Sequence, residues 1–151
     1  MLMLYFSGTG NSKYIAELFC KYMNGKCNSA KCNSVNCNSI EDDINFCQLL
    51  ASEEIIGFCY PIYGSRVPRI MREFVERYID FLKNKKTIIF CTQLIFSGDG
   101  ARVFTDIFPK NWVEVIYAEH FFMPNNVCNF PLLSIANDTK IKSIWQGQIG
   151  K

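Results

Sequence analysis

A short polar loop near the start of the chain holds the residue types best suited to binding chemistry. It combines two glycines, three hydroxyls and an amide in the order Ser7, Gly8, Thr9, Gly10, Asn11 and Ser12. Glycines let the backbone approach a ligand closely and direct successive N–H groups at an anion, and the hydroxyls add further donors. This composition predicts a phosphate-binding loop; an ordinary helix-capping loop rich in Ser, Thr and Asn is the alternative.

The segments on either side of this loop have the patterns of a strand and a helix. Leu2–Phe6 is a continuous apolar run, and apolar residues follow the loop at helical spacing: Tyr14, Ile15, Leu18, Phe19 and Tyr22. The loop is therefore expected at a helix N-terminus, where unpaired N–H groups and the helix dipole favour an anion. It contains no lysine and fits neither G-x-x-x-x-G-K-S/T nor G-x-G-x-x-G, so the P-loop and Rossmann fingerprints are absent.

Further apolar runs predict a parallel sheet. They cover Ile55–Tyr60, Thr87–Thr92 and Val113–Met123, and helical patterns alternate with them: weak at 40–51, strong from 68 to 82, and short at 101–108. This alternation indicates an α/β fold with helices on both faces of the sheet. The polar or glycine-rich loops at 7–12, 61–65 and 92–100 follow strand ends, so we expect them to converge on one site at the carboxyl edge.

The length and composition fit a single folded domain over residues 1–151. Hydrophobic residues make up 49% of the chain, and the 16 basic and 14 acidic residues give a net charge of +2 without a basic run. Nucleic acid binding is therefore not expected. No apolar run approaches the roughly 20 residues that span a bilayer, and the start lacks a secretory signal pattern. We expect a cytoplasmic protein without membrane contact, whose cysteines are free thiols.

Three segments resemble the flavin-binding loops of flavodoxins. Residues 5–12 match the FMN phosphate loop, whose usual form is S/T-x-T-G-N-S/T. Cys59–Gly64 and the segment from Cys91 through Gly100 fall where flavodoxin-like proteins hold the isoalloxazine ring. Met123–Asn126 is similar to a segment after the last strand of clostridial-type flavodoxin domains, including those fused to a ferredoxin module. The resemblance covers about residues 1–135.

This resemblance implies a flavodoxin-like three-layer sandwich with a five-stranded parallel sheet of order 2-1-3-4-5, holding one noncovalent FMN. It assigns the phosphate to Ser7, Gly8, Thr9, Gly10, Asn11 and Ser12. It assigns the ring to Pro61, Ile62, Tyr63, Gly64, Thr92, Gln93, Phe96, Ser97, Gly98 and Asp99. Within that set, Tyr63 is the candidate for stacking on the ring, Gln93 for the pyrimidine edge and Phe96 for covering a face. No catalytic side chain and no metal ligand is implied.

Several functions are compatible with such a domain. The first is a redox protein that transfers electrons between partner proteins, such as a ferredoxin or an oxidoreductase, and is a monomer or a weak dimer. The second is an FMN-dependent NAD(P)H:quinone-type reductase, although the sequence carries no nicotinamide fingerprint. The third is a flavodoxin-like binding module without a cofactor. The sequence has no C-x2-C motif, so in the first case we expect the electrons to pass to a separate partner.

The sequence departs from the flavodoxin pattern in charge and in one segment. Small flavodoxins are typically strongly acidic, whereas this chain carries +2. Residues 26–40 form an irregular segment containing a Cys-Asn-Ser repeat that begins at Cys27, Cys32 and Cys37, and no regular strand is recognisable there. The C-x4-C-x4-C spacing matches neither iron–sulfur nor zinc patterns. We therefore interpret this segment as an irregular loop rather than a metal site.

Overall fold

Five strands and five helices alternate along the chain in a computed structural model, which describes residues 1–26, 34–94 and 100–123. The strands are β1 (Leu2–Tyr5), β2 (Asn36–Ser39), β3 (Ile55–Pro61), β4 (Lys85–Gln93) and β5 (Val113–Phe122). The helices are α1 (Asn11–Lys26), α2 (Phe46–Ser52), α3 (Arg69–Arg77), α4 (Ile79–Leu82) and α5 (Gly100–Thr105).

The strands form one parallel sheet in the order β2-β1-β3-β4-β5, which confirms the expected topology. The central pairs align Tyr5 with Cys59 and Pro61 with Thr92. Because the strands are parallel and in this register, β1, β3 and β4 end at the same edge of the sheet. The loops that follow them therefore start side by side.

Side chains alternate between two apolar layers, one on each face of the sheet. On one face, Leu4, Phe58 and Ile89 pack with residues of α2 to α5, including Leu50 and Phe104. On the other face α1 covers the sheet. Its buried residues Ile15, Ala16 and Cys20 pack against Met3, Cys59 and Phe90, the strand side chains that point to this face. The helices thus occupy both faces, as a three-layer sandwich requires.

The helix starts follow local sequence rules. Asn45 precedes α2, and its side-chain oxygen accepts a hydrogen bond from the Gln48 N–H at 3.2 Å, which satisfies a free donor of the first turn. Pro68 precedes α3, as the sequence predicts, with φ of −54°. The long helical pattern from 68 to 82 is divided at Tyr78 into α3 and α4.

Strand β2 lies inside the segment in which the sequence showed no strand. The third Cys-Asn-Ser repeat supplies Cys37, Asn38 and Ser39, which pair with β1 in parallel. Asn is depleted in strands and the segment has no apolar run, so this edge strand is held by backbone pairing with β1 and by Cys37, which packs against the cluster beneath α1. The segment is therefore irregular only in part. Residues 27–33, which contain the first repeat and Cys32 and Asn33 of the second, lie outside the described residues.

An apolar groove separates α1 from β5. It is lined by Ile15, Leu18, Phe19, Tyr22, Met23, Phe90, Tyr117 and Phe121. Among the residues that the structure describes, those of β5 are mostly exposed, in contrast to the buried β1, β3 and β4. None of the described helices is long and apolar enough to cross a membrane.

Candidate functional site

The loops after β1, β3 and β4 are held together by backbone hydrogen bonds at the carboxyl edge of the sheet. The Phe6 N–H donates to the Cys59 carbonyl at 3.0 Å, and the Ile62 N–H donates to the Thr92 carbonyl at 2.9 Å. Each bond joins the first residue beyond one strand to a residue of its neighbour. The three loops that the sequence predicted to converge therefore do so, as far as they are described.

The first loop, residues 7–12, leads directly into the N-terminus of α1. Gly10 has a φ of 92°, a left-handed conformation that glycine adopts without strain. Its carbonyl accepts the Tyr14 N–H at 2.9 Å, which starts the hydrogen-bond ladder of this 16-residue helix. Gly8, Thr9 and Gly10 are exposed. The positive end of the helix dipole thus lies beside an accessible backbone, which suits a phosphate.

Ser12 connects this loop to β4. It is 1% exposed, and its Oγ lies 2.7 Å from Thr92 Oγ1, within hydrogen-bond distance. The Ser12 carbonyl accepts a hydrogen bond from the Cys59 thiol at 3.2 Å. Each hydroxyl is thus buried against the other, and this contact ties the start of α1 to β4. The assignment of Ser12 and Thr92 as ligand contacts stays a prediction.

Two buried polar atoms at this edge have no hydrogen-bond partner within the described ranges: Ser7 Oγ and Gln93 Oε1. Leaving such an atom unpaired costs about 1–3 kcal/mol. A third, Thr87 Oγ1, belongs to the first half of β4, away from these loops. Ser7 begins the predicted phosphate loop and Gln93 ends the strand before the predicted ring loop. A ligand with polar groups at both places fits this pair of unpaired atoms.

The second loop makes a tight turn after β3. Tyr63 and Arg66 exchange two backbone hydrogen bonds of 3.2 Å, and the residues between them, Gly64 and Ser65, have φ of 57° and 62°. Two successive left-handed residues define a type I′ turn. The sequence pointed to Gly64, but it gave no sign of the left-handed Ser65. This turn fixes the backbone from which the Tyr63 side chain extends.

Tyr63 lies across the first loop and remains accessible. Tyr63 is 52% exposed. Its hydroxyl lies next to Gly8, because a Cβ added to that glycine would be 2.9 Å from the hydroxyl oxygen. Partial burial raises the pKa of the Tyr63 phenol above its usual value of 10.0, so the side chain is uncharged at neutral pH. An accessible, neutral aromatic ring beside the predicted phosphate loop is suited to a planar ligand that carries a phosphate.

Gly100 fixes the far end of the third loop. A Cβ at this position would overlap Ile62 Cδ1, so with a larger residue here the Ile62 side chain would have to move. The Tyr60 hydroxyl donates to the Gly100 carbonyl at 3.0 Å. The sequence placed Gly100 in a turn and assigned no role to Tyr60. The predicted ring contacts Phe96, Ser97, Gly98 and Asp99 lie outside the described residues.

The sheet order and the converging loops define a flavodoxin-like α/β protein. The chain belongs to the flavodoxin domain family, whose model matches residues 2–151. As a member of that family it is an FMN-binding, flavodoxin-like protein.

Solved structures of flavodoxins and flavoproteins share this fold. Two-electron reduced flavodoxin from Megasphaera elsdenii is similar with a TM-score of 0.66 and 23% identity, over 80% of this chain and 85% of that chain. A flavodoxin from Streptococcus pneumoniae is similar with a TM-score of 0.60 and 17% identity, over 96% of this chain and 92% of that chain. A flavoprotein from Lactobacillus acidophilus, in complex with FMN, is similar with a TM-score of 0.57 and 12% identity, over 79% of this chain and 91% of that chain. No curated protein matches the chain.

The bond between Ser12 and Thr92 predicts non-additive stability changes. Ser12→Ala and Thr92→Val each leave one buried hydroxyl unpaired, so each is expected to lower the free energy of unfolding by about 1–3 kcal/mol. The double variant removes both hydroxyls, so its loss in the free energy of unfolding is expected to be about 1–2 kcal/mol smaller than the sum of the losses of the two single variants. Urea unfolding measures these values. Ser52→Ala, at an exposed hydroxyl of α2, serves as the control, and strictly additive losses would show that the bond does not form.

Proposed function

We propose that the loops at the carboxyl edge bind FMN and that the chain transfers electrons between partner proteins. The observation that carries the proposal is the pair of buried atoms without a partner among the described residues, Ser7 Oγ and Gln93 Oε1, at an edge of the sheet where Tyr63 is accessible. FMN has a phosphate, a planar ring and polar ring atoms, so it can satisfy all three features at once. The family and the FMN complex of the Lactobacillus flavoprotein support the same assignment.

The phosphate is assigned to the loop that opens α1. Residues 8–10 are exposed beside the helix N-terminus and would offer backbone N–H groups to the phosphate, and the side chains of Ser7, Thr9 and Asn11 would supply further donors. Ser12 acts indirectly, since its buried bond to Thr92 holds the start of α1 against β4. The loop carries no cation, so binding depends on oriented N–H and O–H groups and on the helix dipole.

The ring is assigned to the space beside Tyr63 and Gln93. Tyr63 packs against a face of the ring, Gln93 reaches its pyrimidine edge, and Pro61 and Ile62 supply an apolar wall. When bound, FMN accepts and releases electrons singly or in pairs. The neutral Tyr63 phenol excludes water from the ring without adding charge, and a surround of this kind disfavours extra negative charge on a reduced ring. The resemblance to flavodoxins adds contacts from Phe96 to Asp99.

The surface next to the ring loop is basic, which favours an acidic partner. Arg66, Arg69 and Arg72 are exposed. Arg69 Nε bonds Glu73 Oε1 at 2.6 Å, whereas Arg66 and Arg72 form no ion pair with any described residue. Complementary charge steers encounters between proteins and fixes their orientation. We infer that the electron partner, such as a ferredoxin or an oxidoreductase, presents an acidic face to this edge.

Replacing Thr9 and Asn11 together with alanine is expected to weaken FMN binding and leave riboflavin binding unchanged, because riboflavin lacks the phosphate. Each hydrogen bond to a charged group contributes about 1.5–3 kcal/mol, so the loss of two should raise the dissociation constant for FMN by about 100-fold or more. Quenching of flavin fluorescence measures both affinities. Ser52→Ala is the control for substitution elsewhere. An unchanged FMN affinity, or an equal loss for the two flavins, would refute the phosphate assignment.

Reduction under anaerobic conditions distinguishes an electron carrier from a reductase. We expect dithionite to bleach the visible absorbance of the FMN-loaded protein, and NADH or NADPH to leave it unchanged over minutes. Free FMN in the same buffer is the control for reduction outside the protein. Rapid bleaching by NAD(P)H would instead support the NAD(P)H:quinone-type reductase. Failure to take up FMN would support the binding module without a cofactor.

A further inference from the structure

A buried tyrosine joins the end of β3 to the start of α5. Tyr60 is the last residue but one of β3 and is fully buried, and its hydroxyl donates a hydrogen bond of 3.0 Å to the Gly100 carbonyl. Burial raises the pKa of the Tyr60 phenol, so the hydroxyl keeps its proton at neutral pH and remains a donor. The two partners are 40 residues apart in the chain, so the bond fixes one element against another.

The Tyr60 ring makes a separate contact with the same helix. It stacks on the Phe104 ring, with the centroids 5.2 Å apart and the planes at 22°. Phe104 is fully buried and also meets the Phe58 ring at 4.8 Å. These ring contacts hold the body of α5 on the sheet, whereas the hydroxyl reaches the first residue of the helix. A phenylalanine at position 60 would therefore keep the ring contacts and lose only the bond to Gly100.

Gly100 in turn lies against a residue of the predicted ring wall. A Cβ added to Gly100 would overlap Ile62 Cδ1 and lie 2.9 Å from Ile62 Cγ1, so the two residues are in close contact. The Ile62 backbone is fixed independently, because its N–H donates to the Thr92 carbonyl at 2.9 Å. The Ile62 side chain is only partly buried, so its position depends on what packs against it. The Tyr60 hydroxyl, through Gly100, thus supports this side chain from the side of α5.

We propose that Tyr60 is a positioning residue for the flavin ring, because its hydroxyl holds Gly100 against Ile62 and so sets the apolar wall of the ring site. The inference rests on the proposed function, which assigns Ile62 to the ring. Tyr60 is fully buried and acts only through these neighbours. A wall that is already in place lowers the cost of ordering side chains when a ligand binds. None of these contacts involves residues 7–12, so the effect is confined to the ring.

Tyr60→Phe removes the hydroxyl and keeps the ring. We expect the dissociation constants for FMN and riboflavin to rise by the same factor, about 2- to 10-fold, the range for the loss of one uncharged hydrogen bond. The two factors should be equal because both flavins carry the ring. Quenching of flavin fluorescence measures both affinities. Tyr78→Phe is the matched control: this partly buried tyrosine packs against Phe46 and Phe74, and its variant should bind both flavins as the unaltered chain does.

The midpoint potential of bound FMN distinguishes a positioning role from a general loss of stability. A looser wall admits water to the ring, and water stabilises the negative charge that reduction adds. Tyr60→Phe should therefore make the midpoint potential less negative, whereas Tyr78→Phe should leave it unchanged. Spectroelectrochemical titration of the FMN-loaded protein measures both values. A variant that is merely less stable would bind less flavin without a change in the potential of the flavin that remains bound.

Gly100→Ala tests the same contact from its other side, so the proposal does not depend on the folding of one variant. The added Cβ displaces the Ile62 side chain while the Tyr60 hydroxyl is retained, and we expect FMN and riboflavin to be weakened equally. The proposal is overturned if either variant binds both flavins as tightly as the unaltered chain, if only FMN binding is weakened, or if Tyr60→Phe leaves the potential unchanged. If the unaltered chain binds no flavin, the proposed function fails and this proposal fails with it.

Discussion

Parallel pairing of β1, β3 and β4 is the constraint on which the site depends. In this register the three strands end together, and the bonds from Phe6 to Cys59 and from Ile62 to Thr92 continue the alignment one residue beyond the strands. Loops separated by about 50 and 30 residues in the chain are thereby brought to one edge. The apolar layers on both faces hold the strands in place, so the core of the sheet determines the geometry of the binding loops.

Polar groups at this edge are divided between structure and binding. The hydroxyls of Ser12 and Thr92 are buried and lie 2.7 Å apart, within hydrogen-bond distance. The Tyr60 hydroxyl donates a hydrogen bond to the Gly100 carbonyl. Ser7 Oγ and Gln93 Oε1 are left unpaired among the described residues. Buried polar atoms are usually paired, and exceptions often mark functional places. The internal bonds make the loops rigid, and the unpaired atoms are the ones that a ligand can use.

The sequence predicted features that are local and missed those that depend on distant partners. Apolar runs predicted four of the five strands, and the Gly-rich loop of 7–12 was identified before a helix that the structure confirms. Strand β2 was missed because Asn36–Ser39 lacks an apolar run and contains two Asn residues, a type that is depleted in strands, so its pairing with β1 leaves no local signature. Sheet order and the cofactor followed from the resemblance to flavodoxins rather than from periodicity.

Site details were missed for a related reason. The use of the Ser12 hydroxyl depends on Thr92, which is 80 residues away, and the Ile62 side chain packs closely against Gly100. Neither contact has a signature in the local sequence. Ser65 is left-handed only because the turn that carries Tyr63 requires it.

A nitrogen-15 NMR titration of the labelled chain with FMN tests the central claim most directly, because it reports every backbone amide at once. The account predicts that the largest shifts occur at the amides of Gly8, Thr9, Gly10, Tyr63 and Gln93, and that Phe90 and Tyr117, in the groove between α1 and β5, change little. The largest shifts in that groove, or no shifts at all, would contradict the assignment of FMN to the carboxyl edge of the sheet.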